Sequence, residues 1–258
     1  MHEAHPSCHD DGINAPGLAE LERVFKTQPD FAVSVIAPDR QRSANSHFVN
    51  LWSPLRLSEH GPARYAIDGT PADCVKLGHF FLETPVDLVV SGINSGQNMG
   101  VDVYYSGTVA AAREAIINGL QGMAVSLSSK DEAADYRFAA KVALEQARVL
   151  LERPLPAGTL LNVNVPDLPE TGIRGVKVTR LGKRVYRDGL DRRMTPFGQT
   201  YFWLSCDGMS FTPCEDGDLD AVHAGYVSLT PVLLDATDYR SLESLAGRGV
   251  GREADPVV

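Results

Sequence analysis

Apolar residues along the chain recur in two alternating rhythms. Leu18, Leu21, Val24 and Phe25 share one helical face, and the run 31–37 that follows reads as a buried strand stopped by Pro38. Residues 86–91 predict a second buried strand, followed by a glycine-rich loop and a helix over about 106–118, with Val109, Ala112 and Ile116 inward and Gly119 as its stop. Residues 123–127 read as a strand, 131–152 as a long helix with Phe138, Val142 and Val149 on one face, and 160–165 as another strand. Strands that alternate with helices predict an α/β fold, a mostly parallel sheet with helices on both faces. Beyond Pro166 the rhythm breaks. Short β-like pieces at 176–180, 201–204 and 226–230 sit among Gly, Pro and charged residues, so residues 1–166 are expected to form the core and 167–258 a β-rich extension packed on it or on another subunit.

Composition narrows the function classes. At 258 residues, 43% hydrophobic and 22% charged, the chain suits one large domain with an appendage and excludes fibrous and disordered readings. Lys and Arg number 24 against 33 Asp and Glu, a net charge of −9, the wrong sign for holding nucleic acid through its phosphates. An anionic substrate would need locally placed positive charge. Cys8, Cys74, Cys206 and Cys214 form no Cys-x-x-Cys pair, which suits a reducing cytoplasm. No apolar run approaches the ~20 residues of a membrane span, and no secretory signal is expected at the start.

In an open parallel sheet, ligands bind where strands end at their carboxyl termini, so polar clusters after strand-like runs are the places to search. Four stand out. Asp10-Asp11-Gly12 carries adjacent carboxylates, which repel unless a cation or proton lies between them; such a triplet is also a common surface turn. The stretch from Asp39 to His47 offers the Ser43 hydroxyl and two arginines, Arg40 and Arg42, suited to phosphate, or simply a loop in which Asp39 pairs with those arginines. Gly92-Ile93-Asn94-Ser95-Gly96-Gln97-Asn98-Met99-Gly100 combines free backbone N–H groups with carboxamides that serve a hard cation or an anion. Tyr105-Ser106-Gly107-Thr108 opens a helix whose capping serine and free N–H groups would hold a phosphate. Ordinary capping explains Ser106 equally well; it does not explain Gly107 and Thr108. Asp10, Asp11, Ser43 and Asn94 form an all-oxygen set, the preference of Mg²⁺ or Mn²⁺. Such an ion polarises a phosphoryl oxygen and acidifies water, so phosphomonoester hydrolysis needs little further protein chemistry.

These clusters, in this order, resemble the SurE (survival protein E) family of divalent-metal-dependent 5′/3′-nucleotidases. The resemblance is carried by Asp10-Asp11-Gly12-Ile13, Ala37-Pro38-Asp39-Arg40 with Ser43, Gly69-Thr70-Pro71-Ala72-Asp73, Val89-Val90-Ser91-Gly92-Ile93-Asn94 and Tyr105-Ser106-Gly107-Thr108. Weaker echoes occur at Leu161-Asn162-Val163-Asn164-Val165-Pro166 and 225–231. It implies a Rossmann-like core, one divalent metal ion (Mg²⁺ or Mn²⁺) on Asp10, Asp11, Ser43 and Asn94, and phosphate contacts at Asn98, Ser106, Gly107 and Thr108. Asp10, Asp11 and Asn98 would be catalytic. It further implies a nucleoside monophosphate as substrate and a cytoplasmic homodimer or homotetramer with a C-terminal arm. One departure stands out: the family's first strand is hydrophobic, whereas residues 1–8 are polar and broken by Pro6, with His9 before the carboxylates. No central strand is expected there, which leaves an alternative, an impaired SurE-like protein that binds nucleotide or phosphate without turning it over.

Remaining residues are read more plainly. His47 either protonates a leaving oxygen or hydrogen-bonds within its loop. Cys74 is expected in the core, Cys206 and Cys214 could approach across a hairpin but are expected as free thiols, and the basic stretch 180–193 is a solvated face, a phosphate contact or a subunit interface.

Overall fold

A computed structural model describes residues 2–6, 11–42, 44–129, 131 and 133–248; for 2–6, 188, 205–207 and 209 it describes the backbone only. Asp10 and Ser43, both expected in the metal set, lie outside the described residues, as do Cys8 and His9. In chain order the elements are β1 (His2–Pro6), α1 (Pro16–Lys26), β2 (Phe31–Val33), β3 (Val35–Pro38), β4 (Leu57–Gly61), β5 (Arg64–Ile67), α2 (Pro71–Phe81) and β6 (Leu88–Ser95). Then come α3 (Gly107–Ile117), β7 (Gln121–Ser128), α4 (Arg137–Glu152), β8 (Thr159–Pro166), β9 (Val176–Val178), β10 (Lys183–Met194), β11 (Thr200–Thr212), α5 (Asp218–His223), β12 (Val227–Leu233) and α6 (Tyr239–Ala246).

The main sheet has seven strands in the order β2-β1-β6-β7-β8-β12-β9, parallel except where β12 runs against β8. Alternation along the inner strands assigns its two faces. Leu88, Val90, Met123, Val125, Leu161 and Val163 point to a core shared with Leu21 and Phe25 of α1 and with α4. Val89, Ala124 and Leu160 point the other way, towards α2 and α3. This two-sided cover explains why those strands read as continuous apolar runs. Truncating Phe25, fully buried and edge-on to Phe31 at 5.2 Å, would cost about 3–5 kcal/mol.

Three sequence expectations are corrected. Residues 2–6 do form a strand: β1 pairs in parallel with β2 on one side and β6 on the other. Its backbone is held by two flanking strands, and Pro6, which has no N–H to give, is its last residue. The run 31–37 is two strands in two sheets, β2 in the main sheet and β3 in a small one ordered β3-β5-β4. The glycine-rich stretch does not begin as a loop at Gly92. β6 continues to Ser95, with its register against β7 shifting between Ser91 and Asn94. Gly92, at φ +136°, is required there, because a Cβ would lie 2.3 Å from the Val125 carbonyl oxygen.

The chain beyond Pro166 contributes both to the main sheet and to a projecting element. β12 and β9 extend the sheet, while β10 and β11 form a long antiparallel hairpin running from the pair Lys183–Thr212 to the pair Met194–Thr200. The long helix starts at Arg137 rather than near 131.

Candidate active site

The segment that begins at Asp11 and the loops that leave the carboxyl ends of β3 and β6 converge with the start of α3 and the base of the hairpin on one cleft of about 450 Å³. Its walls include Asp11, Gln41, Asn94, Asn98, Asp102 and Ser106, closed on the hairpin side by Arg184 and Tyr186. Of the expected residues, Asp11, Asn94, Asn98 and Ser106 therefore share one cavity. Gly107 and Thr108 are buried just behind, in the first turn of α3.

Each side chain has a physical reason for its placement. Asn94 is the last residue but one of β6, where its Nδ2 donates to the Gly96 carbonyl at 2.7 Å and its Oδ1 accepts a long bond from Thr108 Oγ1 at 3.4 Å. The carboxamide is thereby turned with its oxygen end towards the first turn of α3. Asp11 accepts from Gln41 Nε2 at 3.3 Å. Gly17 lets α1 press against β6, since a Cβ there would lie 2.1 Å from the Ile93 carbonyl oxygen. Ser106 caps α3, accepting from the Val109 N–H at 3.1 Å, which leaves its hydroxyl proton to donate. The N–H groups of that first turn and the positive end of the helix face the same region.

Asn98 is fixed from three sides. Its backbone N–H donates to Asn164 Oδ1 at 2.8 Å, and its carbonyl accepts from Asn162 Nδ2 at 2.8 Å and from Asn164 Nδ2 at 3.0 Å. Its own Nδ2 donates to Ser126 Oγ at 2.8 Å. The alternating asparagines of β8 therefore point under the cleft and hold the loop that carries Asn98.

The basic stretch 180–193, for which a phosphate contact is one of three readings, supplies the cation of the cleft, though the sequence does not single out Arg184. Arg184, within the basic stretch, has a buried side chain that donates to the Asp102 carboxylate, which also accepts from the Tyr186 hydroxyl. Burial pushes the Asp102 carboxyl above its ordinary range, against the pull of Tyr186 and Arg184. Burial, helped by the bond to Asp102, also raises the Tyr186 phenol. Besides the basic stretch itself, the signal was the sign of the charge: with the chain at −9, an anionic substrate would need locally placed positive charge.

Other candidates stay outside. Arg40 and Arg42 lie 3.9 Å and 3.5 Å from Asp39, and Arg42 also donates to the Asp68 carbonyl, so these arginines serve their own loop. His47 bonds Glu114 Oε2 at 2.8 Å and does not line the cleft. Glu114 is buried; burial alone would raise its carboxyl, but hydrogen bonds from His47, Asn118 and Lys76 hold it below the ordinary range. With Ser46, which donates to the Tyr104 and Tyr105 carbonyls, His47 ties the 39–50 loop to α3. Cys74 is a buried free thiol, and Cys214 is free as well.

Among the described residues no three His, Cys, Asp or Glu side chains gather as a metal site. The donors at hand are instead mixed oxygens, the Asp11 carboxylate and the Asn94 carboxamide, on one wall of one cleft. That donor chemistry fits a hard divalent cation.

Comparison with known proteins agrees with this layout. The family model "Survival protein SurE" matches residues 8–188. The 5′-nucleotidase SurE of Geobacter metallireducens is 46% identical over 92% of this chain and 94% of its own length. That of Desulforamulus reducens is 47% identical over 93% and 96%. The crystal structure of the SurE protein from Aquifex aeolicus superposes with a TM-score of 0.84 at 36% identity, covering 96% of this chain and 99% of that one. The chain belongs to the survival protein SurE family.

Proposed function

We propose that this protein is a 5′-nucleotidase, a phosphomonoesterase that splits nucleoside monophosphates into nucleoside and phosphate, as the names of its relatives state for them. The observation that carries the reading is the convergence of Asp11, Asn94, Asn98 and Ser106 on one cleft beside the single buried arginine of its wall, Arg184. Asp11 and Asn94, joined by Asp10 and Ser43, would hold one Mg²⁺ or Mn²⁺ ion. Such an ion, when bound, supplies polarisation of a phosphoryl oxygen and acidification of water.

The chain's own groups bind and orient the ester. Asn98, Ser106 and the N–H groups of Gly107 and Thr108 receive the phosphate oxygens, and Arg184 offsets their charge from the hairpin side. The asparagines of β8 keep Asn98 from drifting during the reaction. Water oxygen bonds to phosphorus, the ester P–O bond breaks, and one water proton ends on the released 5′ oxygen. The alternative without turnover drew on the polar start of the chain, and β1 removes that ground, because residues 2–6 take the strand position beside β6.

Exposed Leu190, Met194, Phe197, Phe202, Trp203 and Leu204 on the hairpin support an assembly of two or four copies through this arm. Free thiols at Cys74 and Cys214 support a cytoplasmic location; no helix among the described residues is long and apolar enough to cross a membrane. The test is Asp11→Asn: phosphate release from nucleoside monophosphates with added Mn²⁺ should vanish while the melting temperature stays near that of the parent. Turnover close to wild type in this variant would refute the assignment.

A further inference from the structure

The cleft that holds the phosphate contacts is walled by polar side chains and by two phenols, Tyr105 and Tyr186, the second tied by its hydroxyl to Asp102, and a nucleoside is largely a flat aromatic base. Two further cavities adjoin it. One, of about 580 Å³, meets the cleft at Asp11, Gln41 and Ser95, and its aromatic residue is Tyr136. Tyr136 is 6% exposed and packed into the core beside α4, so it presents no ring face. The other, of about 530 Å³, meets the cleft at Gln97 and Arg184.

Resting on the nucleotidase reading, we propose that the base and ribose of the substrate occupy this second cavity, with the Phe211 ring as the base's stacking surface. Phe211 comes from β11 and is half-buried. It packs on Met99, Leu219 and Val222, with the His223 ring 4.9 Å away and inclined by 31°. Met99 directly follows Asn98, so the ring is held at a fixed place relative to the phosphate contacts. Leu168 from the turn after β8 closes the far wall, and Gln97, whose Oε1 accepts from Ser128 at 2.8 Å, stands on the wall common to both cavities. A monophosphate anchored at Asn98 and Ser106 thus runs past Gln97 and Arg184 and lays its base on Phe211. An aromatic face accepts any base, so the seat provides affinity for nucleotides as a class over base-free phosphate esters.

The test is Phe211→Leu, which keeps apolar packing on Met99, Leu219 and Val222 but removes the ring. The readout is kcat/KM for a nucleoside 5′-monophosphate divided by that for ribose 5-phosphate. The ratio should fall about tenfold, chiefly through KM of the nucleotide, as expected for one lost stacking face, and Phe211→Tyr should restore it. An unchanged ratio, including a parallel loss on both esters, overturns the seat. Absence of phosphate release from both esters by the parent protein overturns the nucleotidase reading itself, and the seat with it.

Discussion

Replacing Asn164 with alanine removes the acceptor of the Asn98 backbone N–H and one of two donors to its carbonyl. Replacing Asn162 removes only the other donor, so the carbonyl keeps a partner. The two asparagines are equally buried, and both truncations leave a cavity of the same size, so these contributions cancel between them. What remains is hydrogen-bond arithmetic. Asn164→Ala orphans a buried N–H, at a cost of about 1–3 kcal/mol. Asn162→Ala instead deletes a buried acceptor, Oδ1, that has no partner among the described residues, which returns roughly 1 kcal/mol. The expected gap is about 3 kcal/mol, or roughly 6–12 °C in melting temperature for a chain of this size. Scanning calorimetry of the two variants measures it. Kinetics should follow the same order: on the proposed reading Asn98 is a phosphate contact, and a 1 Å displacement of it can cost on the order of 100-fold in rate. Equal melting shifts, or a larger loss for Asn162→Ala, would refute the reasoning.

Arg184→Ala should destabilise by about 3–5 kcal/mol, because it leaves the Asp102 carboxylate buried without its cation. Arg184→Ala with Asp102→Ala should recover much of the stability by chemical denaturation and none of the phosphate release, since the cation stays absent from the cleft. For Glu114, whose folded-state pKa lies below its ordinary 4.5, the stabilisation is full above that value and disappears as pH falls through the folded pKa. Thermal melts from pH 6 to pH 3 should therefore show the advantage of the parent protein over Glu114→Gln shrinking at the acid end; a constant advantage would contradict the pairing with His47, Asn118 and Lys76.

By itself the sequence determined what depends on near neighbours. The helical face Leu18-Leu21-Phe25, the Ser106 cap and the buried runs of β7 and β8 all stand where the pattern put them, because capping and periodicity act within a few residues. The motifs also named Asp11, Asn94, Asn98 and Ser106, which line one cleft. Tertiary structure decided the rest. Residues 2–6 carry no apolar alternation and are a strand because β2 and β6 offer backbone partners on both sides. Likewise 31–37, apolar except at Ser34, divides between two sheets, a choice set by which strands lie alongside. Arg184 reaches Asp102 across 82 residues, and Asn164 reaches Asn98 across 66. Contacts over such separations depend on where the hairpin and β8 are folded against the segment that carries Asn98 and Asp102, and no local propensity records that.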